Sequence, residues 1–160
     1  MIRIAIVAAA YNKDIVEPMI AAARDEATKL EVTVEREVRV PGSFELPLVT
    51  AALLDKNRID AVVALGYIEK GETLHGEVIG HVVYRALIEL QLEYAKPVGI
   101  GIIGPGATVA QAEARKDGYA RAAVRAALAN LANLVGIETK PAKAAKVAKA
   151  DKAAKAKQRG

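Results

Sequence analysis

Cysteine is absent from this chain, and so is tryptophan. Without thiols there is no disulfide, no thiolate metal site and no cysteine nucleophile. Histidine occurs twice, too sparsely for a His-rich zinc or haem centre, so no metal site is expected. Aromatics are also scarce, with five Tyr and one Phe, and a core has to be built from Ala, Val, Ile and Leu. No apolar stretch approaches the roughly 20 residues of a membrane span. The opening run Ile4 to Ala10 is too short, and too close to Met1, for a secretory signal. A soluble cytoplasmic protein is the expectation.

What is present is a globular composition: 160 residues, 52% hydrophobic and 26% charged. That is the length of one domain, and too apolar for disorder throughout. Charge is unevenly placed. From Lys140 to Gly160 eight Lys or Arg stand against one acid, Asp151, a balance of +7. The whole chain is +4, which leaves residues 1–139 at −3. The basic character therefore belongs to a tail, and the mildly acidic body lacks the footprint of a nucleic-acid binder. Two parts are expected, a domain over residues 1–139 and a Lys/Ala-rich tail over 140–160. Within the tail Lys140, Lys143, Lys146, Lys149, Lys152 and Lys155 recur every three residues. That spacing walks around a 3.6-residue helix and leaves no apolar face. The tail reads as a solvated, mobile or partly helical extension, with no nucleic-acid partner expected.

Along the body, β-type and helical patterns alternate. Arg3 to Ala9 reads as a buried strand ending at the polar loop Tyr11-Asn12, where Asn12 can cap a helix carrying Ile15, Val16, Met19, Ile20, Ala23, Ala27 and Leu30. Glu31 to Val40 alternates as a second strand and stops at Pro41-Gly42. Ser43 is placed to cap the next helix, with Pro47 tolerated in its first turn. Asp60 to Leu65 predicts a third strand and Gly66 to Glu72 a loop. A long helix is expected over Thr73 to Tyr94, with Val78, Val82, Ala86 and Leu90 on one face. Pro97 to Ile103 predicts the fourth strand, Gly104 to Ala107 a loop, and Thr108 the cap of a last helix. That helix is expected to break near Asp117-Gly118 and resume to Leu134. Strands alternating with helices of this length imply a parallel sheet with right-handed crossovers and helices on both faces. In such sheets the ligand site lies beyond the carboxyl ends of the strands.

The residues at those ends are chemically suggestive. Gly71-Glu72-Thr73-Leu74-His75 stands where the third strand gives way to the long helix. Free amides at a helix start, backed by the helix dipole, hold a phosphate or similar anion, and the Thr hydroxyl adds a donor. The plainer alternative is that Thr73 only caps the helix. His75 falls in the first turn, where the positive dipole end favours a neutral ring able to accept a proton. It is either a proton-transfer group beside an anion site or a surface His without a task. His81 lies about 240° further around the helix and cannot share a ligand with it. Phe44, the only Phe, sits on the loop Pro41 to Pro47. It can stack on a flat heterocycle whose edges bond Ser43 and Glu45, or it can plug a subunit contact, and Tyr11 offers the same two readings. Arg115 is a phosphate clamp or a solvated helix residue.

Taken together, the chain resembles the 6,7-dimethyl-8-ribityllumazine synthase family over about residues 2–136. The resemblance rests on Tyr11-Asn12, Pro41-Gly42-Ser43-Phe44-Glu45-Leu46-Pro47, Ala64-Leu65-Gly66, Gly71-Glu72-Thr73-Leu74-His75 and Gln111-Ala112-Glu113-Ala114-Arg115. It implies a three-layer, flavodoxin-like α/β sandwich with a four-stranded parallel sheet in the order 2-1-3-4. It also implies a cofactor-free condensation of 5-amino-6-(D-ribitylamino)uracil with 3,4-dihydroxy-2-butanone 4-phosphate. By the same resemblance Tyr11, Ser43, Phe44, Glu45, Tyr67, Ile68, Glu69 and Ile100 hold the pyrimidine and ribityl chain. Glu72, Thr73 and Arg115 bind phosphate, and His75 moves protons. A ring of five subunits is implied, with Ile100 and Arg115 reaching across from a neighbour, and twelve such rings can close into a shell of sixty. Tyr11 stands where many members carry Phe or Trp, and Ile100 where many carry an aromatic ring. The Gly104–Thr108 loop is one residue longer than in typical bacterial members and is of the archaeal type. Lys116-Asp117-Gly118 replaces the Gly/Lys-rich helix break of common bacterial forms. Two other readings stand beside this one: an archaeal-type riboflavin synthase paralogue, and a non-catalytic flavin-binding or cage-forming protein.

Overall fold

A computed structural model describes residues 1–137. The tail at 140–160 lies outside the described residues, as do the last two residues of the expected 1–139 domain. In chain order the elements are β1 (Arg3–Ala9), α1 (Lys13–Lys29), β2 (Thr33–Val40), a 3-10 turn (Ser43–Glu45), α2 (Leu46–Leu54), β3 (Ala61–Glu69), α3 (His75–Tyr94), β4 (Val98–Ala107) and α4 (Val109–Leu134). The four strands pair in parallel in the order β2-β1-β3-β4. This is the sheet expected from the alternating pattern and from the family resemblance.

Both faces of the sheet are covered, which explains why β1 and β3 read as continuous apolar runs. Side chains alternate along each strand. Ile4, Ile6 and Ala8 of β1, with Ala61, Val63, Leu65 and Tyr67 of β3, pack against α1 and α4. Ala5 and Val7, with Val62, Ala64 and Ile68, pack against α2 and α3. Alanines dominate the contact face of α4, where Ala112, Ala120, Ala123 and Ala127 are buried. Small side chains let that helix approach closely, and the strand beneath answers with glycine. A Cβ on Gly99 would stand 2.0 Å from the Ala123 carbonyl oxygen. Tyr84 of α3 fixes the far end of β4, its hydroxyl lying 2.8 and 2.7 Å from the Ile102 and Gly104 carbonyl oxygens. Burial pushes that phenol up to about 12.

Several boundaries depart from the pattern reading. β3 runs to Glu69, so Gly66 to Glu69 is strand and not loop. The sheet is covered on both sides there, with Tyr67 buried on one face and Ile68 on the other, and the ladder to β4 continues. β4 likewise carries Gly104 to Ala107 as strand, its pairing to β3 resuming at Glu69 and Ala107 after a register irregularity. α3 begins at His75, after Leu74 and not at Thr73. Its buried stripe is Gly80, Val83 and Leu87, while Val78 and Val82 are 55% and 53% exposed. α4 does not break at Asp117-Gly118. Packing of Ala112 and Ala120 on either side outweighs the roughly 1 kcal/mol that an interior glycine costs. Pro47 does fall in the first turn of α2, but Gly42, not Ser43, stands at the cap of the preceding turn. Thr108 caps α4 as expected, its hydroxyl accepting from the Gln111 amide at 3.3 Å.

Charged side chains lace the outer surface of α1 to its neighbours. Arg24 forms a two-point bond with Glu37 at 2.6 and 2.7 Å, and Arg39 does the same with Glu17 at 2.8 and 2.7 Å. Arg24, and then Arg39, holds the Glu37 carboxyl below its ordinary range, and Arg39 does so for Glu17. Burial opposes ionisation of Glu26, but Arg121 and Arg125 of α4 outweigh it and hold that carboxyl low as well.

In urea unfolding, Gly99→Ala is expected to lose about 2–3 kcal/mol, since neither the helix backbone nor the strand can yield. Gly118→Ala, where an added Cβ meets nothing within 4 Å, should gain about 0.5–1 kcal/mol. The paired carboxylates have folded-state values below their unfolded ones, so their stabilisation is present at neutral pH and lost as pH falls through the folded values. Thermal unfolding followed from about pH 6 to pH 3 should show the melting temperature dropping, less steeply in Glu26→Gln than in the parent.

Candidate active site

Parallel strands deliver all their carboxyl ends to one edge of the sheet, and the polar loops gather there. The Ala10 amide donates to the Val40 carbonyl at 2.7 Å and the Tyr11 amide to that of Pro41 at 3.2 Å. These bonds draw the loops after β1 and β2 together. Glu45 shapes the second loop, its carboxylate Oε2 accepting from the Gly42 amide at 2.8 Å. From the other side come the end of β3 and the start of α3. Between them lies a cavity of about 450 Å³ lined by Tyr11, Ser43, Phe44, Glu45, Tyr67, Ile68, Glu69, Thr73 and His75, with Gly42, Lys70, Gly71, Gly76 and Ile79.

Phe44 is 47% exposed, and its ring meets that of His75 edge-to-face. The two ring centroids are 6.3 Å apart at 67°. An apolar ring and an imidazole from distant loops thus share one wall. Tyr67 is buried, and its hydroxyl donates to the Ala107 carbonyl at 2.9 Å. Burial, with the Glu69 carboxylate second, pushes the phenol up. The proton of that hydroxyl is committed to the backbone, so Tyr67 brings to the cavity its ring and an oxygen that can only accept. At the start of α3 the Thr73 hydroxyl accepts weakly from the His75 amide at 3.4 Å, while Leu74 holds the cap position itself. The first-turn amides have no carbonyl within the helix to bond. A second cavity, of about 270 Å³, adjoins the first and is lined by Glu72 and Thr73 together with Glu69, Lys70, Gly71, Leu74, Gly76, Glu77 and Gly106.

Two of the expected residues lie outside both cavities. Ile100 sits half-buried in β4, packed against the α2/α3 side of the core. Arg115 is exposed on α4, its guanidinium donating to the Gln111 carbonyl at 3.0 Å. Among the described residues no three His, Asp or Glu side chains converge as metal ligands.

The sequence matches the family model for 6,7-dimethyl-8-ribityllumazine synthase over residues 1–135. This chain belongs to the 6,7-dimethyl-8-ribityllumazine synthase family. A lumazine synthase of Staphylothermus marinus is 45% identical over 126 residues, spanning 79% of this chain and 84% of that protein. One from Saccharolobus solfataricus is 46% identical over 127 residues, spanning 79% and 82%. One from Metallosphaera sedula is also 46% identical over 127 residues, spanning 79% and 84%. The resemblance read from the Pro41–Pro47 and Gly71–His75 segments is therefore upheld as lumazine synthase family membership.

Lys70, Gly76 and Ile79 also line the cavity, with no role assigned to them from sequence. Lys70 had a readable signal, a lone cation just before Gly71-Glu72-Thr73. Ile79 had none, because its contact depends on how α3 is rotated. The Glu45–Gly42 bond predicts a specific response. In Glu45→Ala the Gly42 amide should lose protection in hydrogen exchange and stability should fall by about 1 kcal/mol, whereas Glu45→Gln keeps an acceptor and most of both.

Proposed function

We propose that this protein condenses 5-amino-6-(D-ribitylamino)uracil with 3,4-dihydroxy-2-butanone 4-phosphate to give 6,7-dimethyl-8-ribityllumazine, a transferase step of riboflavin biosynthesis. The observation that carries the reading is family membership spanning residues 1–135. The amine of the uracil attacks the ketone and forms an imine with loss of water. Phosphate then departs, and ring closure with loss of a second water completes the lumazine. Small-molecule substrates alone are needed, and no cofactor enters this scheme.

The cavity supports a division of labour. The exposed face of Phe44 stacks on the pyrimidine, whose edges and ribityl chain are held by Tyr11, Ser43, Glu45, Tyr67, Ile68 and Glu69. Glu45 keeps one carboxylate oxygen for this task, since Oε2 is engaged by Gly42. Thr73 and the first-turn amides of α3 receive the phosphate, and Glu72 serves through its main chain, because its carboxylate repels an anion. His75 at the helix start passes protons between the reacting carbons and nitrogen.

The site is completed across a subunit boundary. Ile100 and Arg115 lie away from the cavity of their own chain and reach that of a neighbour in a pentamer, alone or as one of twelve in a sixty-subunit shell. Apolar side chains left on the surface support this assembly: Leu74, Val78, Val82, Ile88 and Leu92 of the α3 region are all exposed. A cytoplasmic location belongs to the same reading. Among the described residues no helix is long and apolar enough to cross a membrane.

Incubation with both substrates should produce the fluorescent lumazine, and wild-type protein that forms none would overturn the proposal. Arg115→Ala is expected to raise KM for the phosphorylated ketone about ten- to a hundredfold while leaving that for the uracil nearly unchanged. His75→Ala should lower kcat by up to about a hundredfold, the reaction having some spontaneous rate. Light scattering should find pentamers or multiples of them, and a fully active monomer would remove the shared site.

A further inference from the structure

We propose that Lys70 is a second phosphate-binding cation, supplied by the same subunit that supplies Thr73 and His75; this rests on the reaction proposed above. The two adjoining cavities share Glu69, Lys70, Gly71, Thr73 and Gly76 as lining, so Lys70 stands at their junction. The side chains around them include four carboxylates, Glu45, Glu69, Glu72 and Glu77, and among the described residues Lys70 is the only Lys or Arg lining them. A phosphate dianion entering beside Glu72 and Thr73 meets repulsion that first-turn amides offset only in part, since a helix end carries about half an elementary charge. A full positive charge at the junction corrects the balance.

Lys70 is also placed and free. Its amide donates to the Ala107 carbonyl at 3.0 Å, tying the residue between the ends of β3 and β4. Its ammonium has no hydrogen bond or ion pair among the described residues, although Glu69 and Glu72 flank it in the chain. An exposed lysine surrounded by carboxylates and bonded to none of them remains available to an anionic ligand. Arg115, by contrast, is turned onto the Gln111 carbonyl of its own helix and lines neither cavity of this subunit.

Steady-state kinetics with each substrate varied in turn tests the assignment. Lys70→Gln should raise KM for the phosphorylated ketone about tenfold, and raise the inhibition constant of inorganic phosphate in parallel. KM for the uracil should stay within about twofold of the parent, and Lys70→Arg should restore most of the loss. Unchanged KM for the ketone together with unchanged phosphate inhibition would overturn the proposal, as would an equal rise in KM for both substrates. Direct titration of the parent and Lys70→Gln proteins with inorganic phosphate separates this inference from the reaction itself. If the parent forms no lumazine, weaker phosphate binding in the variant still upholds the Lys70 site, and equal binding refutes it.

Discussion

β1 and β3 have no solvent-facing side, and the rest of the molecule follows from that constraint. Two central parallel strands buried on both faces need helices above and below. Parallel pairing requires each connection to travel the length of the sheet and return. The strand ends are thereby sorted: every carboxyl end arrives at one edge, and every polar loop that can meet a ligand is there with its neighbours. Tyr11, Phe44 and His75 are distant in sequence and adjacent in space for no other reason.

The core achieves this with little aromatic material. Alanine on α4 against glycine on β4 brings a helix closer to the sheet than larger side chains allow. The consequence is a thin, tightly seated layer on that side. The aromatic rings not used in packing are left for the loops. Ion pairs joining α1 to β2 and α4 surround the same layer, and they work at the rim, where apolar burial ends.

Much of this was legible in the residues. Parallel topology followed from the alternation of Arg3–Ala9, Glu31–Val40, Asp60–Leu65 and Pro97–Ile103 with helical patterns. The cavity loops followed from their place at the strand ends. What escaped was set by tertiary contact. Gly66 and Gly118 carry the local signature of a turn and a helix break, yet burial on both sides keeps β3 and α4 unbroken. Val78 and Val82 are as apolar as Val83 and Leu87, and periodicity alone does not say which stripe faces the sheet. The hydroxyl of Tyr67 could be assigned to a ligand from sequence, but its commitment to Ala107 depends on a strand 40 residues away.

The bond from the Lys70 amide to the Ala107 carbonyl has a bearing on how the protein is made. Ribosomes release the chain from its amino end, and Tyr11, Phe44 and His75 emerge well before β4. Until β4 is free to pair, β3 has one open edge, and the loop between Lys70 and His75 lacks its anchor. A nascent chain therefore carries every side chain of the cavity without possessing the cavity. A ligand that needs the loop anchored at Ala107 therefore gains its site, and adds its stability, when that last strand docks.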